Sequence, residues 1–253
     1  MNKLLQRNIE ISEICMLAGK IMLESGAETY RVEDTMNRIA HSFGIEGPES
    51  YVTPTAIIFS IEGDYPTKTR MKRITKRTTD LNKVTAVNSI SRQISAGVLT
   101  IEEAYEKLKA IEKNSYVFPF WIQVLAAALS SGCFVIMFRG TWIDFLPGII
   151  AGGVGFLYFL LIDRLITVRF FSELSASFVI GLIAIFLVNQ HIGLEVDKII
   201  IGSVMPIVPG LLITNAIRDL LAGHLVSGLA KGIESLLTAM AIGLGVAVAL
   251  VLF

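Results

Sequence analysis

Five stretches in the second half of the chain, about 117–138, 145–162, 170–188, 199–217 and 233–253, approach or exceed the length an α-helix needs to cross a bilayer. In hydrocarbon every backbone N–H and C=O has to be satisfied inside the protein, so such stretches fold as helices. The first half is different in kind: 16 of the 22 Lys and Arg residues and 15 of the 22 Asp and Glu residues precede residue 115. The pattern predicts a soluble domain over 1–114 and a transmembrane domain of five spans over 115–253.

Flanking charge gives an orientation. Lys107, Lys109 and Lys113 precede the first span, Arg164 and Arg169 separate the second from the third, and Arg218 and Lys231 separate the fourth from the fifth. The opposite loops hold only Arg139 and Lys198. This excess places the N-terminal domain in the cytoplasm and, after an odd number of spans, the C-terminus outside. Trp121, Trp142 and Tyr116 stand near span ends, where interface aromatics belong. Met1 to Glu10 carries charge but no apolar core of signal-peptide length, so insertion is expected to rely on the later spans. A net charge of zero speaks against a nucleic-acid partner. Cys15 and Cys133 fall in different halves, so no disulfide is expected.

In the first half, Ile11, Ile14, Ala18 and Ile21, and then Val32, Met36, Ile39, Ala40 and Phe43, recur at helical spacing. They predict two amphipathic helices, with Ser25-Gly26-Ala27-Glu28 as a capping box and Gly44 as a terminator. Residues 51–62 read as one strand, shortened or placed at an edge by Pro54. A turn at Glu62-Gly63-Asp64-Tyr65-Pro66 leads into a hairpin partner over 67–74. Helices are expected over 81–95 and from the Thr100-Ile-Glu-Glu103 box, with Ile101, Ala104, Leu108 and Ile111 on one face. The fold class is therefore an α-helical polytopic membrane protein with an N-terminal α+β domain. Lys68, Arg70 and Lys72, followed by Arg73, Lys76 and Arg77, fit either an anion or headgroup site or a charge-protected sheet edge.

The fourth span interrupts itself. Pro206 and Pro209 each remove a backbone donor and obstruct the preceding turn, and Gly210 follows. Freed carbonyls and helix-dipole ends suit a polar solute, with a simple kink as the alternative. Beyond the break come Asn215, Arg218, Asp219, His224 and Ser227. On a continuing helix Asn215, Arg218 and Asp219 share one side. Arg218 has the chemistry to receive a carboxylate, and Asp219 or His224 to exchange protons; the same residues also suit an interfacial role at the cytoplasmic boundary. Asp163, Glu173 and Glu234 are further acids near membrane boundaries.

Gly148, Gly152, Gly153 and Gly155, the pair Gly228 and Gly232, and Gly243 with Gly245 are spaced for close helix packing. His41, His191 and His224 have no metal spacing, and neither a phosphate loop nor a nucleophile triad is recognisable. Catalytic residues, cofactor and metal are accordingly not expected.

Taken together, the run from Ser25 through Glu28 and Arg31 to Glu33, the Pro209-Gly210 break and the string Asn215, Arg218, Asp219, Gly223, His224, Ser227, Gly228 resemble the threonine/serine exporter (ThrE) family, particularly its short YjjP-like members. That resemblance covers nearly the whole chain. It implies an inner-membrane exporter of small amino or carboxylic acids, threonine- and serine-like or succinate- and pyruvate-like, coupled to the proton motive force. Longer members carry a second membrane block on the same chain, so the resemblance also implies a second small polytopic subunit as partner, with a homo-oligomer open as a further arrangement. Two rivals stand beside it: a membrane-anchored sensor or scaffold whose soluble domain binds a ligand or protein, and a membrane-embedded enzyme.

Overall fold

The computed structural model describes residues 3–61, 68–114, 117–166 and 168–252. The expected turn over 62–66 and Tyr116 lie outside the described residues. Cα packing divides the chain into two compact units. The first combines residues 1–117 with 211–232, and the second combines 118–210 with 233–253. The segment 211–232, which hydropathy assigns to the membrane block, thus packs with the N-terminal residues.

In the first unit, helices α1 (Lys3–Glu24) and α2 (Thr29–Ser42) pack on a small sheet, and α3 (Leu81–Ser95) and α4 (Ile101–Lys113) pack against those helices. Ile11, Ile14, Ala18 and Ile21 of α1 and Val32, Met36, Ile39 and Ala40 of α2 are all buried, as their spacing predicts. The Thr100 capping box forms in full, with the hydroxyl accepting from Glu103 N–H and the Glu103 carboxylate accepting from Thr100 N–H.

Two local expectations change. Ser25 does not start a helix; it ends one. Gly26 has φ +87°, Ala27 N–H donates to Met22 O at 3.1 Å, and Gly26 N–H donates to Leu23 O at 3.3 Å. This 6→1 and 5→2 pairing terminates α1, because glycine adopts the left-handed conformation without a Cβ penalty. Helix α2 then begins at Thr29, and Glu28 at its N-cap makes no side-chain capping bond.

The strand expected over 51–62 is two strands, β1 (Glu49–Thr53) and β2 (Ala56–Ile61), because Pro54 cannot donate to a ladder and the chain turns there. Thr53 Oγ1 accepts from Ala56 N–H across that turn. With β3 (Lys68–Arg73), which pairs antiparallel with β2 as the expected hairpin partner, they make a three-stranded sheet in the order β1-β2-β3. Arg70 and Lys72 are register partners of the buried Phe59 and Ile57, so they lie on the core-side face of an edge strand. Arg70 meets Glu13 of α1 at 3.5 Å. Inward-pointing charge of this kind protects a strand edge from pairing with another chain.

In the second unit, α5 (Phe120–Met137), α6 (Trp142–Leu165) and α7 (Phe171–Asn189) are long and apolar enough to cross a membrane, as is α10 (Leu225–Leu252), whose first turns belong to the first unit. The pair Val196–Ile207 and Gly210–Leu221 is long and apolar enough only when joined as one broken span, which gives four or five candidate spans among the described residues. Helix α8 (Val196–Val204) packs on α5 and α6 at small residues: a Cβ at Gly202 would lie 2.7 Å from Val135 N. Ser203 donates to Gly148 O at 3.2 Å. Large apolar side chains point outward, among them Trp121, Leu125, Leu129, Leu236, Met240 and Leu244. That inversion of the soluble pattern suits a hydrocarbon solvent. Asp144, wholly buried, accepts from Leu194 N–H at 2.6 Å and Glu195 N–H at 3.1 Å and so fixes the loop before α8.

Candidate functional site

The proline break is built within the second unit. Helix α8 ends at Val204 and a single 3₁₀ turn, Met205–Ile207, carries Pro206 in place of another α-helical turn. Val208 N–H still reaches Met205 O at 3.2 Å, and Gly210 N–H reaches Val208 O at 2.8 Å. Pro209, without an N–H, stands where the i→i−4 ladder would otherwise continue. Pro206 and Pro209 are half-buried and Gly210 is exposed.

The polar string that follows gathers within the first unit. Helix α9 (Gly210–Leu221) places Asn215 and Asp219 on its buried side, one turn apart, with Arg218 beside them. Asn215 Nδ2 donates to Gly26 O at 2.8 Å. Asp219, with no exposed surface, accepts from Thr29 N–H at 2.9 Å and from Tyr30 N–H at 3.4 Å through one oxygen. Its other oxygen accepts from Lys231 Nζ at 2.8 Å. Lys231 is itself buried and also donates to Thr29 Oγ1 at 3.1 Å and Ala27 O at 3.4 Å. A buried charge is tolerated when it is paired and its remaining donors or acceptors are satisfied, and this pair meets both conditions.

Around that centre lie three further ionic contacts. Arg218 Nη1 donates to Glu28 Oε1 at 2.6 Å, and Arg31 Nε stands 3.6 Å from Glu28 Oε2. Burial alone would raise the Glu28 carboxyl, but a backbone hydrogen bond and the two guanidiniums outweigh it and hold it below the ordinary carboxylate range. His224 Nδ1 lies 3.7 Å from Glu33 Oε2. Glu33 accepts from Val52 N–H at 2.7 Å through Oε1, while Ser227 donates to Val52 O at 3.0 Å. Burial is the largest influence on Glu33 and lifts its carboxyl above the usual value; Asp219 adds to the rise, and Val52 N–H and His224 oppose it.

A family model described as "Putative threonine/serine exporter" (ThrE) matches residues 13–253. The chain belongs to that family. A "Probable threonine/serine exporter" of Mycobacterium tuberculosis is 21 % identical over 245 residues, which cover 95 % of this chain and 46 % of that protein. A "Probable succinate transporter subunit YjjP" of Klebsiella aerogenes is 27 % identical over 249 residues, covering 96 % of this chain and 94 % of the relative. The "Pheromone-regulated membrane protein 10" of Kluyveromyces lactis is 26 % identical, with 99 % of this chain matching 26 % of its length. The chain thus spans less than half of the mycobacterial relative and nearly all of the Klebsiella one. No solved structure is significantly similar to it. The exporter family and these bacterial relatives are named for transport and not for a catalytic reaction.

Of the residues singled out in this exporter-family chain, Asn215, Arg218, Asp219, His224 and Ser227 share one polar cluster, whereas Pro206, Pro209 and Gly210 belong to the other unit. Sequence reasoning missed Lys231, taken only as a flanking charge. Thr29, whose N–H and hydroxyl both enter the cluster, stood out only as part of the Ser25–Glu33 run. One signal for Lys231 was available: it interrupts an apolar helix between Gly228 and Gly232, and a cation in such a setting calls for a partner. Asp163 is exposed and Glu173 half-buried, and both lie in other helices.

Proposed function

We propose that this chain is a subunit of an inner-membrane exporter of small amino or carboxylic acids, threonine- and serine-like or succinate- and pyruvate-like. It works with a second small membrane subunit and draws on the proton motive force. The family match over residues 13–253 carries this reading. The chain's division into a charged unit and one with outward-facing apolar helices supports it. Near-complete coverage of a relative named as a transporter subunit supports a two-part carrier. The flanking positive charges support a cytoplasmic N-terminal domain and an outside C-terminus.

Within that reading, Arg218 receives the substrate carboxylate. Its side chain is paired yet 54 % exposed, so an incoming anion has access to the guanidinium. His224, facing Glu33, is the proton-exchanging group. Asp219 and Lys231, buried and fully paired, hold α9 and the start of α10 in register beneath them. The Pro206 to Gly210 break, in the other unit, offers backbone polarity of its own to a polar solute.

The direct test is counterflow of labelled threonine and succinate in vesicles containing this chain with and without the companion subunit. Flux that needs both chains and falls at least about tenfold in Arg218→Ala fits the loss of a charge-assisted contact. Absence of flux for both substrate types with both chains present would overturn the exporter reading. Unchanged flux in Arg218→Ala and His224→Gln would remove those two residues from the mechanism.

A further inference from the structure

Glu28 sits between two cations. One carboxylate oxygen faces Arg218 at 2.6 Å and the other faces Arg31 at 3.6 Å, so each oxygen has its own guanidinium. The acid is on the inside: the Glu28 side chain is 7 % exposed, against 54 % for Arg218 and 41 % for Arg31. An anion arriving from water therefore meets the guanidiniums before it meets the carboxylate. The trio carries one positive charge in excess, and its neighbours do not cancel it. Asp219 is matched by Lys231, Asp34 by Arg38 at 2.6 Å, and Glu33 is turned toward His224 and Val52 N–H.

We infer that Arg31 and Arg218 form a binding site for the carboxylate of a small metabolite, and that Glu28 is a tethered carboxylate occupying that site when no ligand is bound. Ligand entry exchanges one carboxylate for another. Glu28 swings aside, and each guanidinium turns its own N–H donors to the incoming carboxylate. Because the guanidiniums open to solvent, the rest of the ligand, whether a second carboxylate or an ammonium and hydroxyl, extends outward. The inference names the substrate-facing site for the proposed export and rests on that reading for its biological use, but the binding itself is measurable without transport.

The experiment is calorimetric titration of the purified full chain in detergent with succinate, L-threonine and inorganic phosphate as probes. Glu28→Gln, which removes the internal competitor, is expected to tighten succinate or threonine binding about tenfold. Arg31→Ala and Arg218→Ala weaken it by a similar factor, and Arg31→Lys and Arg218→Lys retain part of it. If Glu28→Gln does not melt cooperatively, Glu28→Asp, which withdraws the carboxylate by one methylene, must shift affinity in the same direction. No tightening in a folded Glu28 variant overturns the internal competitor, and binding of phosphate as tightly as of succinate overturns the carboxylate assignment. Tightened binding without vesicle flux would leave the site standing and sink the exporter reading. Flux with no binding response to the three residues would do the reverse.

Discussion

Asp219 caps a helix that begins 190 positions before it in the chain: its Oδ1 accepts the N–H of Thr29, the first residue of α2, at 2.9 Å. Helix N-termini carry unsatisfied donors and the positive end of the macrodipole, and a carboxylate answers both. Here the helix's own N-cap side chain makes no such bond, so the cap comes from α9. Lys231 then neutralises the capping carboxylate at 2.8 Å.

Removing either partner of that buried pair leaves an uncompensated charge. Asp219→Ala and Lys231→Ala should each destabilise the first unit by about 3–5 kcal/mol. The double variant Asp219→Ala, Lys231→Ala should lose less than the sum of the two single losses, because it leaves no lone charge behind. Denaturant melts of the four proteins in one detergent check this, and strict additivity would exclude coupling.

Lys20 and Glu112 join α1 to α4 at 2.7 Å. The hydrogen bond from Lys20 and its charge outweigh partial burial and lower the Glu112 carboxyl, while the same bond raises the Lys20 amine above its ordinary value. The lowered acid contributes stability that is present above its unfolded pKa and lost as pH falls through the folded one. The raised amine contributes stability present below its unfolded pKa and lost as pH rises through the folded one. Glu112→Gln should therefore flatten both limbs of a melting-temperature profile, with its largest deficit near neutrality.

Glu33 has the opposite sign. A carboxyl raised by burial favours the folded state below its unfolded pKa, and that contribution is lost as pH rises through the folded value. Glu33→Gln keeps an oxygen for Val52 N–H and removes the ionisation. Its melting temperature should exceed that of the parent at pH 8 and converge with it near pH 4; a gap independent of pH would exclude this account.

Packing of α8 on α5 leaves no room at Gly202, where a Cβ would meet Val135 N at 2.7 Å, whereas at Gly243 it meets nothing within 4 Å. Gly202→Ala should cost about 1–3 kcal/mol through overpacking. Gly243→Ala should change little, so a comparison of their cooperative melts isolates the steric effect from helix propensity.

Elements defined by local period were legible in the sequence. The buried stripes of α1 and α2, the span from Leu81 to Ser95 and the Thr100 box depend on neighbours a turn or less away. The division of residues 51–62 into two strands was harder, because Pro54 signals a short or edge strand, which β1 is, without reporting that the chain reverses there into a second one. For the cluster, helical spacing put Asn215, Arg218 and Asp219 on one side, but no local pattern reports that Asp219 meets Thr29 or that Ser227 meets Val52. Such pairings depend on how distant segments come together, which spacing does not encode. Ser25 misled for a related reason: a small hydroxyl residue followed by Gly suits either end of a helix, and the left-handed Gly26 decides between them.

The outward side of β1 is met at Val52 by Glu33 and by Ser227, a residue made 175 positions later. During synthesis the strand leaves the ribosome long before the serine that completes its border. At ordinary elongation rates that interval is on the order of ten seconds or more. Until translation reaches the start of the last helix, the nascent N-terminal region carries an unfinished strand margin and an uncapped α2, a window in which chaperones and proteases have access to it.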